Sequence, residues 1–353
     1  MKRAKRRFSL YRISCSGKGR SQSSLSSGVR PCFEGNMSPH PLVRTVLGSL
    51  PPHDLGMTLC HEHMSMIFDV AFCDPDPSTE HMSHCPLTVE NLGWIRQHPH
   101  LQSQAEFALG GKRRWRNDDL RSFKACGGRP ETVLLASVEE LAAKIKSDIR
   151  EGTEEEPSVS CGIIGEIGTS FPLTDFEKRS LQAAALAQID LAAEYASPPP
   201  VNIHPGRNQS SPAEVSRVFA EAGGHVRRLC MSHVERTLLS DESLFDFASE
   251  FPGCYLEFDL FGNEVSYYQL NPEVDFPSDA DRIRRIKSLI DEKYTERILV
   301  AHDVHTRHRL TKFGGHGYQY LLDSIIPRMK MRGFSFNDIQ CIFNQNPAHF
   351  LPF

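Results

Sequence analysis

The chain has 353 residues, of which 39% are hydrophobic and 24% charged, the make-up of a soluble globular protein with room for one large core or two medium ones. No stretch approaches the roughly 18 consecutive apolar residues of a membrane helix, so no membrane association is expected. The formal net charge of −4 gives no reason to expect a nucleic-acid partner.

Residues 1–36 hold nine Lys/Arg against one acid, Glu34, and are Ser-rich with little apolar periodicity, so a disordered basic extension is expected there. A basic targeting signal, an Arg/Ser-rich transit peptide, or sequence upstream of a true start at Met37 would each look like this. The last is favoured, because nothing in the arm connects to the chemistry that follows. The ten cysteines contain no C-x-x-C pair and follow no secretory-type leader, so free thiols in a reducing cytosol are expected rather than disulfides.

Residues 37–353 read as one domain. From Leu42 to Cys60 the pattern is a short strand, a Pro-Pro turn and a second strand running into His61-Glu62-His63. On an extended strand end the side chains of His61 and His63 point to the same side, so both imidazoles can reach one cation. Residues 64–126 are polar and rich in Pro, His and Gly, with helical pieces near 89–97 and 120–125. The spacing of Val138, Leu141, Ala142, Ile145 and Ile149 predicts an amphipathic helix, and Ser137 with Glu140 predicts a capping box at its start.

After an acidic loop the chain alternates strand and helix. CGIIGEIG is read as a strand ending at Glu166, with a helix over 175–195 behind it. PVNIHPG ends at His204 and precedes a helix over 212–222; VRRLCMSH ends at His233 and precedes one over 240–250. GCYLEFDLFG precedes a helix over 280–292, and RILVAHDVHT ends at Asp303. Helices including 318–332 and the closing NDIQCIFNQNPAHFL complete the chain. This repeat predicts an α/β fold with a parallel sheet.

A residue of ligand type thus stands at the end of five strands: His61 with His63, Glu166, His204, His233 and Asp303. Six such residues converge if the strands close into a (β/α)8 barrel, whose strand C-termini share one mouth; along an open sheet they would be strung in a line. Each residue also has an ordinary reading. His204 suits a loop histidine, His233 a helix cap, and Asp303 a partner for His302 or His305. Glu166, a carboxylate inside an apolar strand, needs a cation beside it. Together, four histidines and two carboxylates suit two adjacent divalent cations with one carboxylate bridging.

The runs TLCHEHMSM, CGIIGEIG, NIHPGR, MSHVERT, YLEFDLFG, RILVAHDVHT, KFGGHGY and NPAHFL resemble the phosphotriesterase family of the amidohydrolase superfamily, over roughly residues 42–126 and 160–353. The resemblance implies a (β/α)8 barrel with a binuclear centre. His61, His63 and Asp303 would hold one cation, His204 and His233 the other, both most simply zinc, and Glu166 would bridge them. Glutamate as the bridge matches the phosphotriesterase-related branch, which is associated with hydrolysis of small N-acyl amides such as N-acetyltaurine to taurine and acetate. Asp303 would act catalytically, taking a proton from the attacking water and delivering it to the leaving group. A sulfonate would want a cation nearby, and Arg207 and Arg236, each three residues past a ligand histidine, are candidates; a surface or capping salt bridge suits them equally.

The resemblance also implies a small-molecule substrate, a cytosolic location and a possible homodimer. One departure stands out. The family fold places two more strands between the His-x-His segment and the Glu166 strand, and residues 127–160 offer only the run 133–137 and the capped helix. A barrel short of one or two strands is therefore expected, with a gap in its wall. Two other functions fit: a phosphotriesterase or lactonase acting on esters, and a metal-binding scaffold without turnover.

Overall fold

The computed structural model describes residues 40–66, 73, 75–101, 107–108, 134–153 and 157–353. The basic extension 1–36, the helical piece expected over 120–125 and the acidic run 154–156 lie outside the described residues. Two short antiparallel pairs come first: β1 (Val43–Thr45) with β2 (Gly48–Leu50), and β3 (Ser65–Met66) with β4 (Phe107–Ala108).

The centre of the molecule is a parallel sheet of five strands: β5 (Ile164–Gly168), β6 (Val201–His204), β7 (Leu229–Met231), β8 (Tyr255–Phe258) and β11 (Ile298–Val300), in the order β11-β8-β7-β6-β5. The connection after β8 carries a hairpin of β9 (Tyr267–Tyr268) and β10 (Asn271–Asp275). Helices return the chain between the parallel strands: α1 (Val138–Arg150) before β5, then α2 (Asp175–Ala192), α3 (Ser211–Glu221), α4 (Asp241–Glu250) and α5 (Asp279–Asp291). This is the α/β architecture of a (β/α)8-type barrel. Among the described residues the wall runs from β11 to β5 and does not close on itself.

Sequence sets these helix starts. Ser137, Thr174, Ser240 and Ser278 each accept the backbone N–H three residues on, and the side chains of Glu140, Glu177, Ser243 and Asp281 accept in return. This reciprocal cap fixes α1, α2, α4 and α5 within a residue or two of their expected positions. The helix expected over 318–332 opens with a π-helical turn, Leu321–Ile325, that continues directly into Ile326–Met331.

The alternation of side chains along each strand divides the core in two. Ile164, Ile167, Val201, Ile203, Leu229, Met231, Leu256, Phe258, Ile298 and Val300 face the helices and pack with Leu181, Phe219, Leu244, Ile286 and their neighbours. On the other face Ile163, Cys230, Tyr255 and Leu299 pack with Val43, Leu55, Phe350 and Leu351, an apolar plug at the N-terminal end of the sheet. Above this plug, toward the strand C-termini, the same face turns polar.

Candidate metal centre

The polar layer starts one residue pair above the plug. Asn202 Nδ2 donates to Glu257 Oε2 at 3.0 Å, and Ser232 Oγ donates to Asn202 Oδ1 at 2.6 Å, all three side chains being buried. His61 Nδ1 lies on this layer, 3.1 Å from Glu257 Oε2 and 3.0 Å from Asp259 Oδ2. Two carboxylates on Nδ1 make that nitrogen the donor and turn Nε2, the acceptor, toward the site. His61 Nε2 is 3.7 Å from both Glu166 Oε1 and Asp303 Oδ1. His63 Nε2 is 2.7 Å from Asp303 Oδ1.

Glu166 is carried by an irregularity in β5. Ile164 pairs with Val201 but Ile167 with Ile203, so β5 has one residue more than β6 over this stretch, a bulge of the kind that re-aims a side chain next to a functional site. Gly165 makes it possible: its φ is +125°, and a Cβ there would lie 2.4 Å from the Asn202 carbonyl oxygen. Contrary to expectation, Glu166 is inside its strand, which continues to Gly168; the bulge, not the strand end, brings the carboxylate to the mouth.

Glu166 Oε1 meets His204 Nδ1 at 2.8 Å and His233 Nε2 at 2.9 Å, and those two nitrogens are 2.9 Å apart. His233 is held from behind by Asp259, whose Oδ1 lies 2.6 Å from Nδ1 and whose Oδ2 accepts the His233 backbone N–H at 3.1 Å. His233 (φ 54°) and Asp303 (φ 51°) both adopt the left-handed region at the turn leaving a strand. Side chains other than glycine are uncommon there, and such strain clusters at functional sites.

Asp303 is fixed on every side. Its N–H donates to the His61 carbonyl at 3.2 Å, its own carbonyl accepts from Arg309 Nη1 at 2.7 Å, and Oδ2 lies 3.2 Å from His305 Nδ1. His302 is not its partner: Glu62 takes both the ring and the backbone N–H of His302, at 2.6 and 2.8 Å. The segment 61–63 is irregular backbone rather than a strand end, because Asp303 gives it a single ladder-type hydrogen bond and Thr58 is tied to the Phe343 carbonyl instead. The two histidines still reach one side.

The charges are strongly coupled. Burial works against a charge on His233, but Asp259 together with Glu166 raises its pKa to about 10. Burial opposes ionisation of Glu166 and Asp303 as well; the histidines around them nevertheless hold both carboxyls well below the ordinary range. His204, buried beside His233 and Arg236, is pushed well below the usual imidazole value. Groups of three with ligand atoms in mutual reach are His61–His63–Glu166, His61–His233–Asp259 and Glu166–His204–His233. The structure therefore brings all six expected residues together and adds Asp259, with Glu257 behind it. Their signal was in the sequence: Glu257 and Asp259 are carboxylates at alternate positions of the apolar run YLEFDLF, the same feature that singled out Glu166.

Arg236 Nη2 lies 2.9 Å from His204 Nε2, and Arg207 Nε donates to Tyr268 Oη on the β9–β10 hairpin. Both guanidinium groups lie over the Tyr268 ring, at 5.6 and 5.7 Å from its centroid. Neither forms a carboxylate salt bridge among the described residues. Tyr268 itself was not foreseen.

A sequence model of the phosphotriesterase family matches residues 129–351. The chain belongs to the phosphotriesterase family. It is 40% identical to the N-acetyltaurine hydrolase of Bos taurus and 38% identical to that of Homo sapiens, each match covering 88% of this chain and 98% of the relative. Among solved structures, a resiniferatoxin-binding protein from Rhodobacter sphaeroides superimposes with a TM-score of 0.76 at 26% identity, over 89% of this chain and 97% of that one. The phosphotriesterase homology protein of Escherichia coli gives a TM-score of 0.58 at 23% identity, over 86% and 100%, a likeness of fold. The chain is accordingly a metal-dependent hydrolase of the amidohydrolase type. Its match to the bovine relative spans 351 aligned positions, to which 88% of 353 residues contribute, so about forty positions of the alignment have no residue of this chain. Among the described residues no helix is long and apolar enough to cross a membrane.

Proposed function

We propose that His61, His63 and Asp303 hold one divalent cation, that His204 and His233 hold a second, and that Glu166 is shared by both, zinc being the cation this imidazole–carboxylate set suits best. The reaction we assign is hydrolysis of small N-acyl amides, N-acetyltaurine foremost, to the free amine and the carboxylic acid. The observation that carries the reading is the place of Glu166. A single oxygen, Oε1, touches His204 and His233 and faces His61 Nε2, so one carboxylate stands between the two groups of imidazoles.

The donor set fits such cations. Glu166 Oε1, His204 Nδ1 and His233 Nε2 lie within 2.9 Å of one another, and three acceptor-type atoms so close need shared protons or a cation among them. The choice of amide follows from the N-acetyltaurine hydrolases, which match over nearly their whole length.

Divalent cations, when bound, polarise the scissile carbonyl and bring the pKa of water near neutrality. The chain's own part is positioning and proton handling. Asp259 and Glu257 hold His61 by Nδ1, and Asp259 holds His233 by Nδ1, which fixes both tautomers. Asp303 stays ionised at neutral pH, so it can accept the proton of the attacking water and return it to the departing amine nitrogen. His305 and Arg309 hold that residue in its left-handed turn.

Metal content measured together with N-acetyltaurine hydrolysis, on the wild type and on Glu166→Ala, tests the reading. About two cations per chain and turnover that vanishes in the variant are expected. Undiminished turnover in Glu166→Ala, or faster hydrolysis of a lactone or phosphotriester than of N-acetyltaurine, would overturn it.

A further inference from the structure

We propose that Arg236, Tyr268 and Arg207 form the subsite for an anion on the amine half of the substrate, so that the centre selects N-acyl amides whose leaving amine carries a sulfonate or carboxylate a few bonds from nitrogen. The inference rests on the hydrolase reading above, and names the substrate class for it.

Arg236 is 4% exposed and Tyr268 8%. Burying a guanidinium away from water is costly unless a counter-charge and acceptors replace the solvent. Buried Arg282 meets this with two carboxylates, giving Nε to Glu235 and Nη1 to Asp279, and Nη2 to the Asn263 carbonyl, while buried Arg309 fills both terminal nitrogens with the carbonyls of Asp303, Phe261 and His302. Arg236 does neither. No carboxylate pairs with it among the described residues, and Nη1 has no hydrogen-bond partner. Its other terminal nitrogen, Nη2, is shared between His204 Nε2 and the Pro205 carbonyl at 3.3 Å.

Nη1 is therefore the edge of this planar guanidinium left without a partner, and a guanidinium edge matches a sulfonate or carboxylate oxygen. Arg207 adds a second positive charge across the Tyr268 ring, and the Tyr268 hydroxyl, engaged by Arg207 Nε, marks the outer edge of the subsite. The anion would lie one imidazole ring away from the His204–Glu166–His233 cluster, which limits the linker between the amide nitrogen and the charge to a short one.

The experiment compares N-acetyltaurine with neutral N-ethylacetamide in the wild type, Arg236→Gln and Arg236→Lys, each loaded with zinc, and measures binding of the product amine taurine by calorimetry. Arg236→Gln is expected to lower kcat/KM for N-acetyltaurine by about 100-fold, chiefly through KM, with a much smaller change on N-ethylacetamide. Taurine binding should weaken in parallel, and Arg236→Lys should restore part of both. Equal losses on the two substrates, or taurine binding that survives in Arg236→Gln, would overturn the proposal. If Arg236→Gln fails to fold, half-buried Arg207→Gln replaces it, with a loss of about tenfold expected on the anionic substrate only. A wild type that binds taurine through Arg236 but hydrolyses neither amide would sink the hydrolase reading and leave the subsite standing. A wild type that neither hydrolyses N-acetyltaurine nor binds taurine would sink both. N-acetyl-β-alanine run alongside separates a sulfonate preference from a carboxylate one.

Discussion

Asp259 grips His233 twice, with one carboxylate oxygen 2.6 Å from the ring Nδ1 and the other accepting the backbone N–H at 3.1 Å. The same carboxylate lies 3.0 Å from His61 Nδ1. One buried side chain therefore sets the ring orientation of a histidine from each half of the proposed centre and pins His233 in its left-handed turn. Asp259→Asn is expected to weaken metal affinity by about 10–100-fold, the usual cost of losing such a carboxylate behind a ligand histidine. Competition with a chelator would measure it, and an affinity within about twofold of wild type would contradict this role.

The metal-free site stores protons that cations must displace. His233 is raised to about 10 from 6.5, and His61 is raised as well, despite burial, by Glu166, Asp259 and Glu257. His233 is therefore protonated at neutral pH when no metal is bound, so metal uptake should release about one proton per chain. Calorimetry in buffers of different ionisation enthalpy would show this; heats independent of the buffer would refute it.

The same shifts fix the sign for stability. A histidine whose folded pKa is raised stabilises the native state fully below 6.5, and that contribution is lost as pH rises toward about 10. Glu166 and Asp303 are depressed, so their contribution is present above the ordinary carboxylate pKa and disappears in acid. Metal-free protein should therefore show a falling urea midpoint from pH 6.5 upward, and zinc should remove most of that fall. A midpoint of the metal-free protein that rises over this interval would contradict the assignment.

What the sequence made legible follows from the physics each feature depends on. His204, His233 and Asp303 could be found because each ends an apolar run, and the repeating strand–helix pattern told where those ends would meet. Helix starts were legible because Ser and Thr caps act over three residues. Asp259 carries the same local sign as Glu166, a carboxylate within an apolar run. Tyr268 had no local sign at all: its place depends on a two-residue strand folding a hairpin back over the mouth. The irregular backbone at His61 was also beyond reach, since it reflects which distant groups, Asp303 and Phe343, supply hydrogen bonds. Residues 109–133, between β4 and α1, lie outside the described residues, and the sequence there is polar and weakly periodic.

Gly165 offers a test of the bulge that presents Glu166. With φ at +125° and the Asn202 carbonyl 2.4 Å from where a Cβ would be, Gly165→Ala meets both backbone strain and a collision with a neighbouring strand. Gly168, three residues on at the end of β5, has neither problem, with nothing within 4 Å of its Cβ position. Gly165→Ala should cost about 2 kcal/mol or more by denaturant unfolding, whereas Gly168→Ala should stay within about 0.5 kcal/mol of wild type. Because Asn202 also holds Glu257 beneath His61, the first variant should lose metal as well as stability. If the two variants behave alike, the bulge does not depend on glycine. If Gly165→Ala loses stability but binds metal normally, Glu166 does not depend on the bulge for its position.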